Sequence, residues 1–277
     1  MKQPVRIASP LYIFREDCEK NLFPILEQIK RLGFDGAEFV GYFGCKPEEI
    51  RSQLDVIGLT PVCDNISIYE FLQDVDGVID SHAFIGFPYL AVGWLRPEHQ
   101  PGGERFDETV EWYTMLGRKC RKKGITLVYH NHDFELKNKL GDKYHLEVLM
   151  DSIPADALSL QPDLGWMQIG GADPLYFLKK YTDRCPIVHV KDFYTTNQRL
   201  IGNPFDLRLS RGGPGRGNFE FRPCGYGVSN IPAQMPFIDA CHPDWILTDQ
   251  DVAYDRDRFE DLKLGLDYMK KLLDIHQ

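Results

Sequence analysis

Residues 124–136 read Gly-Ile-Thr-Leu-Val-Tyr-His-Asn-His-Asp-Phe-Glu-Leu: a glycine stop, an apolar strand, then His130, Asn131, His132, Asp133 and Glu135 in quick succession. Two imidazoles and two carboxylates this close together give the ligand density expected where a fold presents a metal or acid/base groups. A polar loop following a core strand would read the same way, so the rest of the chain has to decide. Just upstream, residues 104–123 carry the clearest amphipathic pattern, with Val110, Tyr113, Leu116 and Cys120 on one face. A basic run at 118–123 closes it, where cations complement the helix dipole.

This helix, glycine, strand unit repeats in both directions. Strands are expected at 4–14, 36–40, 60–67, 89–95, 125–136, 157–163, 186–193 and 244–251. Helices are expected at 16–32, 46–57, 104–123, 146–152, 174–181, 231–241 and 256–273, with a further helical stretch around Phe71 to Ile79. Gly33 and Gly58 are stop signals, and Pro47 sits in a first turn. Eight strands alternating with helices predict one closed parallel (β/α)8 TIM barrel over residues 1–277, because parallel strands need crossover helices and eight of them close on themselves. No linker rich in Pro, Gly or Ser divides the chain. The irregular part is 195–229, dense in Gly, Arg and Pro, where a long loop inside a compact domain reads as a binding loop or a lid, or else as a solvated, mobile loop, which is the default expectation.

Composition narrows the partners. Hydrophobic residues at 43% and charged residues at 26% describe an ordinary globular chain. A net charge of -9 argues against nucleic acid, whose binding needs a basic face. Seven scattered cysteines without C-x-x-C spacing fit reduced thiols, and no stretch reaches transmembrane length, so a cytoplasmic, membrane-free protein is expected. Self-association is left open.

In a barrel of this type the active site lies at the C-terminal ends of the strands. There the chain places Glu38, then His130, His132 and Glu135, then Asp163, then His189, Lys191 and Asp192, then Asp249 and Asp251. Side chains two apart share a face, which pairs His130 with His132, His189 with Lys191, and Asp249 with Asp251. One imidazole with three carboxylates is a mixed N/O set suited to Mn²⁺, Mg²⁺, Co²⁺ or Zn²⁺. Trp166 is a candidate for stacking on a sugar ring, and Arg216 in the glycine-rich segment for gripping an anionic group.

Four motifs, His130-Asn-His-Asp-Phe-Glu135, Gln161-Pro-Asp-Leu-Gly-Trp166, His189-Val-Lys-Asp192 and Thr248-Asp-Gln-Asp251, resemble the strand-end motifs of the sugar isomerase/epimerase family with the xylose isomerase-like TIM barrel, of the AP endonuclease 2 superfamily. Residues 33–39, Gly-Phe-Asp-Gly-Ala-Glu-Phe, are similar to its second strand. The resemblance implies one divalent cation, Mn²⁺ first, held by Glu135, Asp163, His189 and Asp249, with His130 as the substitute for Glu135. It implies Glu135 and Asp249 as the proton-transfer pair; the residues themselves suggest Lys191 as oxyanion stabiliser, proton donor or salt-bridge partner, and Glu38, His130, His132, Trp166 and Arg216 as substrate contacts. Asp249 stands where the family usually has Glu, one methylene longer.

The expected reaction is isomerisation or epimerisation of a small keto sugar through an enediolate stabilised by the cation. A dehydratase or hydratase acting on keto-inositols or 3-keto-glycosides is the alternative, since loss of a β-hydroxyl from the same enediolate is dehydration. An abasic-site endonuclease fits less well with the acidic charge, and a non-catalytic sugar-binding barrel is a further reading.

Overall fold

A computed structural model describes residues 5–196 and 219–276. Eight parallel strands form the barrel: β1 (Arg6–Pro10), β2 (Gly36–Phe39), β3 (Thr60–Asn65), β4 (Tyr89–Val92), β5 (Thr126–His130), β8 (Ser159–Gln161), β9 (Ile187–Thr195) and β11 (Trp245–Asp249). The remaining strands are a small hairpin, β6 (Lys139–Leu140) with β7 (Lys143–Tyr144), and β10 (Phe219–Arg222). The order is β10-β9-β11-β1-β2-β3-β4-β5-β8, and an isolated parallel bridge between Asp163 and His189 brings β8 back to β9. At that seam the His189 amide donates to the Pro162 carbonyl at 2.9 Å. The expected sixth, seventh and eighth strands are therefore β8, β9 and β11.

Alternation along the strands builds the interior in layers. Ala8, Val62, Tyr89, Ala91, Val128, Ile187, Trp245 and Leu247 form an apolar plug inside the barrel. Two residues further along the same faces come His130 after Val128, His189 after Ile187, and Asp249 after Leu247. The plug thus carries an ionisable layer on top. Gly36 belongs to this packing, since a Cβ there would lie 2.5 Å from Val62 Cγ2 and 3.0 Å from the Trp245 ring. Outward residues such as Leu127, Tyr129, Val188 and Val190 pack under the helices.

Several expected elements differ: the strand expected at 125–136 ends at His130 and residues 134–137 are helical, and the helical stretch around Phe71 to Ile79 is two helices, Ile68–Phe71 and Val75–Ile85. The helix expected at 16–32 is two, Arg15–Cys18 and Leu22–Leu32, because Asn21 is fully extended at φ -164 and breaks the run. The strand expected at 4–14 ends at Pro10 and is followed by a 3-10 turn, Tyr12–Phe14. Within the segment expected to be irregular, β10 pairs antiparallel with β9, and Phe219 and Phe221 pack with Phe193 and Trp166. Arg211 and Arg216 lie outside the described residues. No helix among the described residues is long and apolar enough to cross a membrane.

Candidate active site

Above the apolar plug, at the C-terminal ends of the strands, lies a cavity of about 330 Å³. Glu38, His130, His132, His189, Lys191, Asp249 and Asp251 face it from below and the side, and Tyr12, Val40, Ile66, Trp94 and Trp166 give it an apolar rim. Polar groups at the base and aromatic walls around them are what a polyol with apolar ring faces requires.

Lys191 is the pivot. It is 2% exposed, and its Nζ lies 2.8 Å from Asp251 Oδ1, 3.1 Å from Asp249 Oδ2 and 3.1 Å from Asp163 Oδ2. Burial works against this ammonium, but the three carboxylates outweigh it and hold the group well above the ordinary lysine range. The helix Leu164–Ile169 lies directly over it. Gly165 makes that possible, because a Cβ there would meet Lys191 Cβ at 2.6 Å and its carbonyl oxygen at 2.8 Å. The Trp166 ring centroid sits 4.6 Å from Nζ.

His189 lies between two carboxylates, with Nδ1 2.9 Å from Asp249 Oδ2 and Nε2 3.1 Å from Glu38 Oε2. Burial opposes its charge, yet Glu38 and Asp249 push it up to about 10, so the ring is an imidazolium donating on both sides. Gln161 Nε2 holds Glu38 Oε2 from the far side at 2.6 Å. Asp249 keeps its charge: burial is overcome by Lys191 and His189, which hold its carboxyl well below the usual range. Asp163 is pushed up to about 7, by burial first, against the pull of Lys191.

Asp163 is held by its own chain. Its Oδ1 accepts from Trp166 N at 2.8 Å as the cap of the helix that follows, and its amide donates to Asn131 Oδ1 at 2.9 Å. That leaves Oδ2 pointing into the site, 3.9 Å from His130 Nε2. His130 is buried, and burial followed by the nearby His189 charge keeps it neutral. His132 Nδ1 lies 2.9 Å from the Gly93 carbonyl and so carries the hydrogen. Burial also lowers His132, to about 3, which leaves a neutral ring with an acceptor Nε2 at the cavity wall.

Glu135 lies elsewhere. It is buried behind β5, where Oε1 accepts from the Tyr129 hydroxyl at 2.6 Å and Oε2 from the His132 amide at 2.9 Å. It is not among the residues lining the cavity. Residues 134–137 form a short helix, which turns Glu135 back under the strand end. The position beside Asp163 and His189 is taken by His130, and ligand atoms of these three lie within 4.8 Å of one another. Asp192 also points away from the cavity. Its carboxylate accepts from the amides of Gly225, Gly227 and Ser229 at 2.9–3.0 Å and fixes the turn after β10.

Burial raises the Glu135 carboxyl to about 8, with the Tyr129 and His132 hydrogen bonds pulling the other way. A carboxyl whose folded value exceeds its unfolded one binds more protons when folded, so stability falls as pH rises from the ordinary glutamate range, near 4.5, to about 8. The slope from this group is ~1.4 kcal/mol per pH unit. Glu135→Gln is expected to flatten the melting temperature against pH between 5 and 8, and an unchanged slope in thermal melts would count against this assignment.

Do these groups suit a divalent cation? His130 Nδ1 and Asp249 Oδ1 are buried and have no hydrogen-bond partner among the described residues, and Asp163 Oδ2 faces the Lys191 ammonium at 3.1 Å. Four carboxylates, Glu38, Asp163, Asp249 and Asp251, face only two cations, Lys191 and His189. Negative charge is in excess around the cluster, as a cation site requires, so the groups fit. His189 would become a ligand by losing the proton from one ring nitrogen, and with it one of its two hydrogen bonds, so that the ring is neutral when it holds the ion.

A family model described as xylose isomerase-like TIM barrel matches residues 26–272. The chain belongs to this family. A sugar phosphate isomerase/epimerase from Parabacteroides distasonis superposes with a TM-score of 0.73 at 17% identity, covering 97% of this chain and 94% of that one. A xylose isomerase-like TIM barrel protein from Mycobacterium smegmatis, solved in complex with magnesium, gives a TM-score of 0.66 at 16% identity over 97% of this chain and 96% of its own. At such identities the likeness is one of fold. In sequence, an inosose dehydratase from Bacillus cereus is 35% identical over 89 residues, a stretch covering 32% of this chain and only 29% of the dehydratase.

For a xylose isomerase-like barrel, several residues that shape the site are not acids or bases on a strand end. Asn131 pins Asp163, Gln161 holds Glu38, and Gly165 admits Lys191. Asn131 sits inside the quoted His-Asn-His motif, and its position between two strand-end histidines was the available signal. Nothing in the sequence marks Gln161 as the partner of a residue 123 positions away.

Proposed function

We propose that this chain is a divalent-metal-dependent isomerase or epimerase of a small keto sugar or sugar derivative. The observation that carries the proposal is the buried cluster in which His130, His189, Lys191, Glu38, Asp249 and Asp251 line one aromatic-rimmed cavity, with Asp163 buried beside them against Lys191. His130, Asp163 and His189 would hold the cation, with Asp249 beside them, and Mn²⁺, Co²⁺, Zn²⁺ and Mg²⁺ are the ions to compare. When bound, the ion supplies Lewis-acid polarisation of a substrate carbonyl.

The chain supplies the rest. Glu38 and Asp249 flank the His189 ring from its two nitrogens, and both border the cavity. Two carboxylates so placed suit removal of a proton next to a carbonyl and its return. This geometry favours Glu38 over Glu135 as the partner of Asp249. Lys191 stands where it can balance negative charge gathering on substrate oxygens. His132 Nε2 accepts a hydrogen bond from a substrate hydroxyl, and Trp166 and Trp94 offer ring faces. The expected partner is a small polyol, not nucleic acid or a membrane, in keeping with the net charge of -9.

The test is solvent deuterium exchange. In D₂O with Mn²⁺, a keto sugar from a panel of pentuloses, hexuloses and keto-inositols is expected to gain deuterium at the carbon beside its carbonyl. Absence of exchange across the panel, with each ion in turn, would sink the proposal. A lyase reading has its own support in the short match to inosose dehydratase. Mass spectrometry separates the two, since a lyase product has lost water and an isomer has not.

A further inference from the structure

We infer that the cation centre of this chain is a two-imidazole, one-carboxylate site that selects nitrogen-binding divalent ions, cobalt or zinc, over magnesium, and that His130 sets this selectivity. The inference rests on the proposed metal dependence and says which class of ion the centre takes.

Three residues offer ligand atoms within 4.8 Å of one another, and two of the three offer ring nitrogens. Asp249 lies outside that group, although its Oδ1 is buried without a hydrogen-bond partner among the described residues, and the nearby carboxylate oxygens that face Lys191 and His189 are engaged. Asp249 Oδ2 takes both Lys191 and His189, Asp251 Oδ1 takes Lys191, and Glu38 Oε2 takes Gln161 and His189. The Lys191 ammonium therefore stands among the aspartates and competes with a cation for their oxygens, Asp163 Oδ2 included. Lys191 is itself fixed there by Gly165 and the overlying helix, so it cannot readily swing away.

The position of His130 makes the difference. It ends β5 on the inward face, two residues after Val128, and its Nε2 lies 3.9 Å from Asp163 Oδ2. An acidic side chain at this point would give a site rich in oxygen. An imidazole gives one with two nitrogens and a single carboxylate oxygen. Magnesium prefers six oxygens in near-ideal octahedral geometry and dehydrates reluctantly, whereas imidazole suits zinc, cobalt and iron.

The experiment is titration calorimetry on the metal-stripped full chain with CoCl₂, ZnCl₂ and MgCl₂, accompanied by thermal melts and by the visible absorption of bound cobalt. Cobalt and zinc are expected to bind at least ~100-fold more tightly than magnesium. In His130→Glu the cobalt-to-magnesium preference is expected to fall by ~10-fold or more, and the cobalt spectrum to change. His130→Asn, a neutral substitution of smaller bulk, guards against loss of folding and is expected to weaken cobalt more than magnesium. Magnesium binding within tenfold of cobalt in the unsubstituted protein, or an unchanged preference in folded His130→Glu, overturns the inference alone. If no divalent ion binds at all, the metal-dependent reading of the site falls with it.

Discussion

Lys191→Met is expected to cost ~3–5 kcal/mol of stability in metal-free buffer, because removing one partner of a buried ionic cluster leaves its counter-charges stranded. The side chain is fully enclosed and its ammonium is shared among Asp163, Asp249 and Asp251. Methionine fills nearly the same volume, so the loss is one of charge and not of packing. For a chain of this size the melting temperature is expected to drop by on the order of 10 °C. Added divalent cation should recover part of the drop, since the stranded carboxylates then gain a positive partner. A thermal melt within a degree or two of the unsubstituted protein would show that the cluster is not held by this ammonium.

Asp163→Asn separates the structural duties of this residue from its charge. Asparagine caps a helix as well as aspartate does, so the bond to Trp166 N is kept, and the amide bond to Asn131 belongs to the backbone. Only the carboxylate aimed at His130, His189 and Lys191 is lost. The variant is expected to fold, to bind cobalt ~100-fold or more weakly, and to lose ~10³-fold or more of any exchange activity, as when a principal electrostatic group leaves a buried site. Calorimetry and the deuterium exchange rate measure both effects. Full activity in folded Asp163→Asn would remove Asp163 from the site's chemistry.

Much of this architecture was legible in the sequence because period and punctuation are local. Eight apolar runs separated by helical patterns, several of them closed by glycine or opened by proline, gave the barrel. Inward alternation correctly paired His189 with Lys191 and Asp249 with Asp251 on the cavity. Glu135 shows where local reading stops. Its distance from His130 along the chain says nothing about the helical turn at 134–137 that folds it beneath β5, onto Tyr129. Asp192 poses the same problem: it follows Lys191 directly, so alternation sends it outward, where amides of Gly225, Gly227 and Ser229 collect on it. Those partners lie more than thirty residues away, beyond any periodicity. The first strand and the first helix were overextended because hydrophobic spacing continues across Pro10 and Asn21, while the backbone does not.

The barrel is a ring whose last joint is a single bridge, and that bridge is made by Asp163 and His189. The joint and the proposed ion site are therefore the same two residues. Whatever grips both side chains acts as a clasp on the ring, and the free energy of ligand capture is shared with that of barrel closure. Conversely, breathing of this joint is felt first by the chemistry, because the two residues that part are the ones that hold the charge.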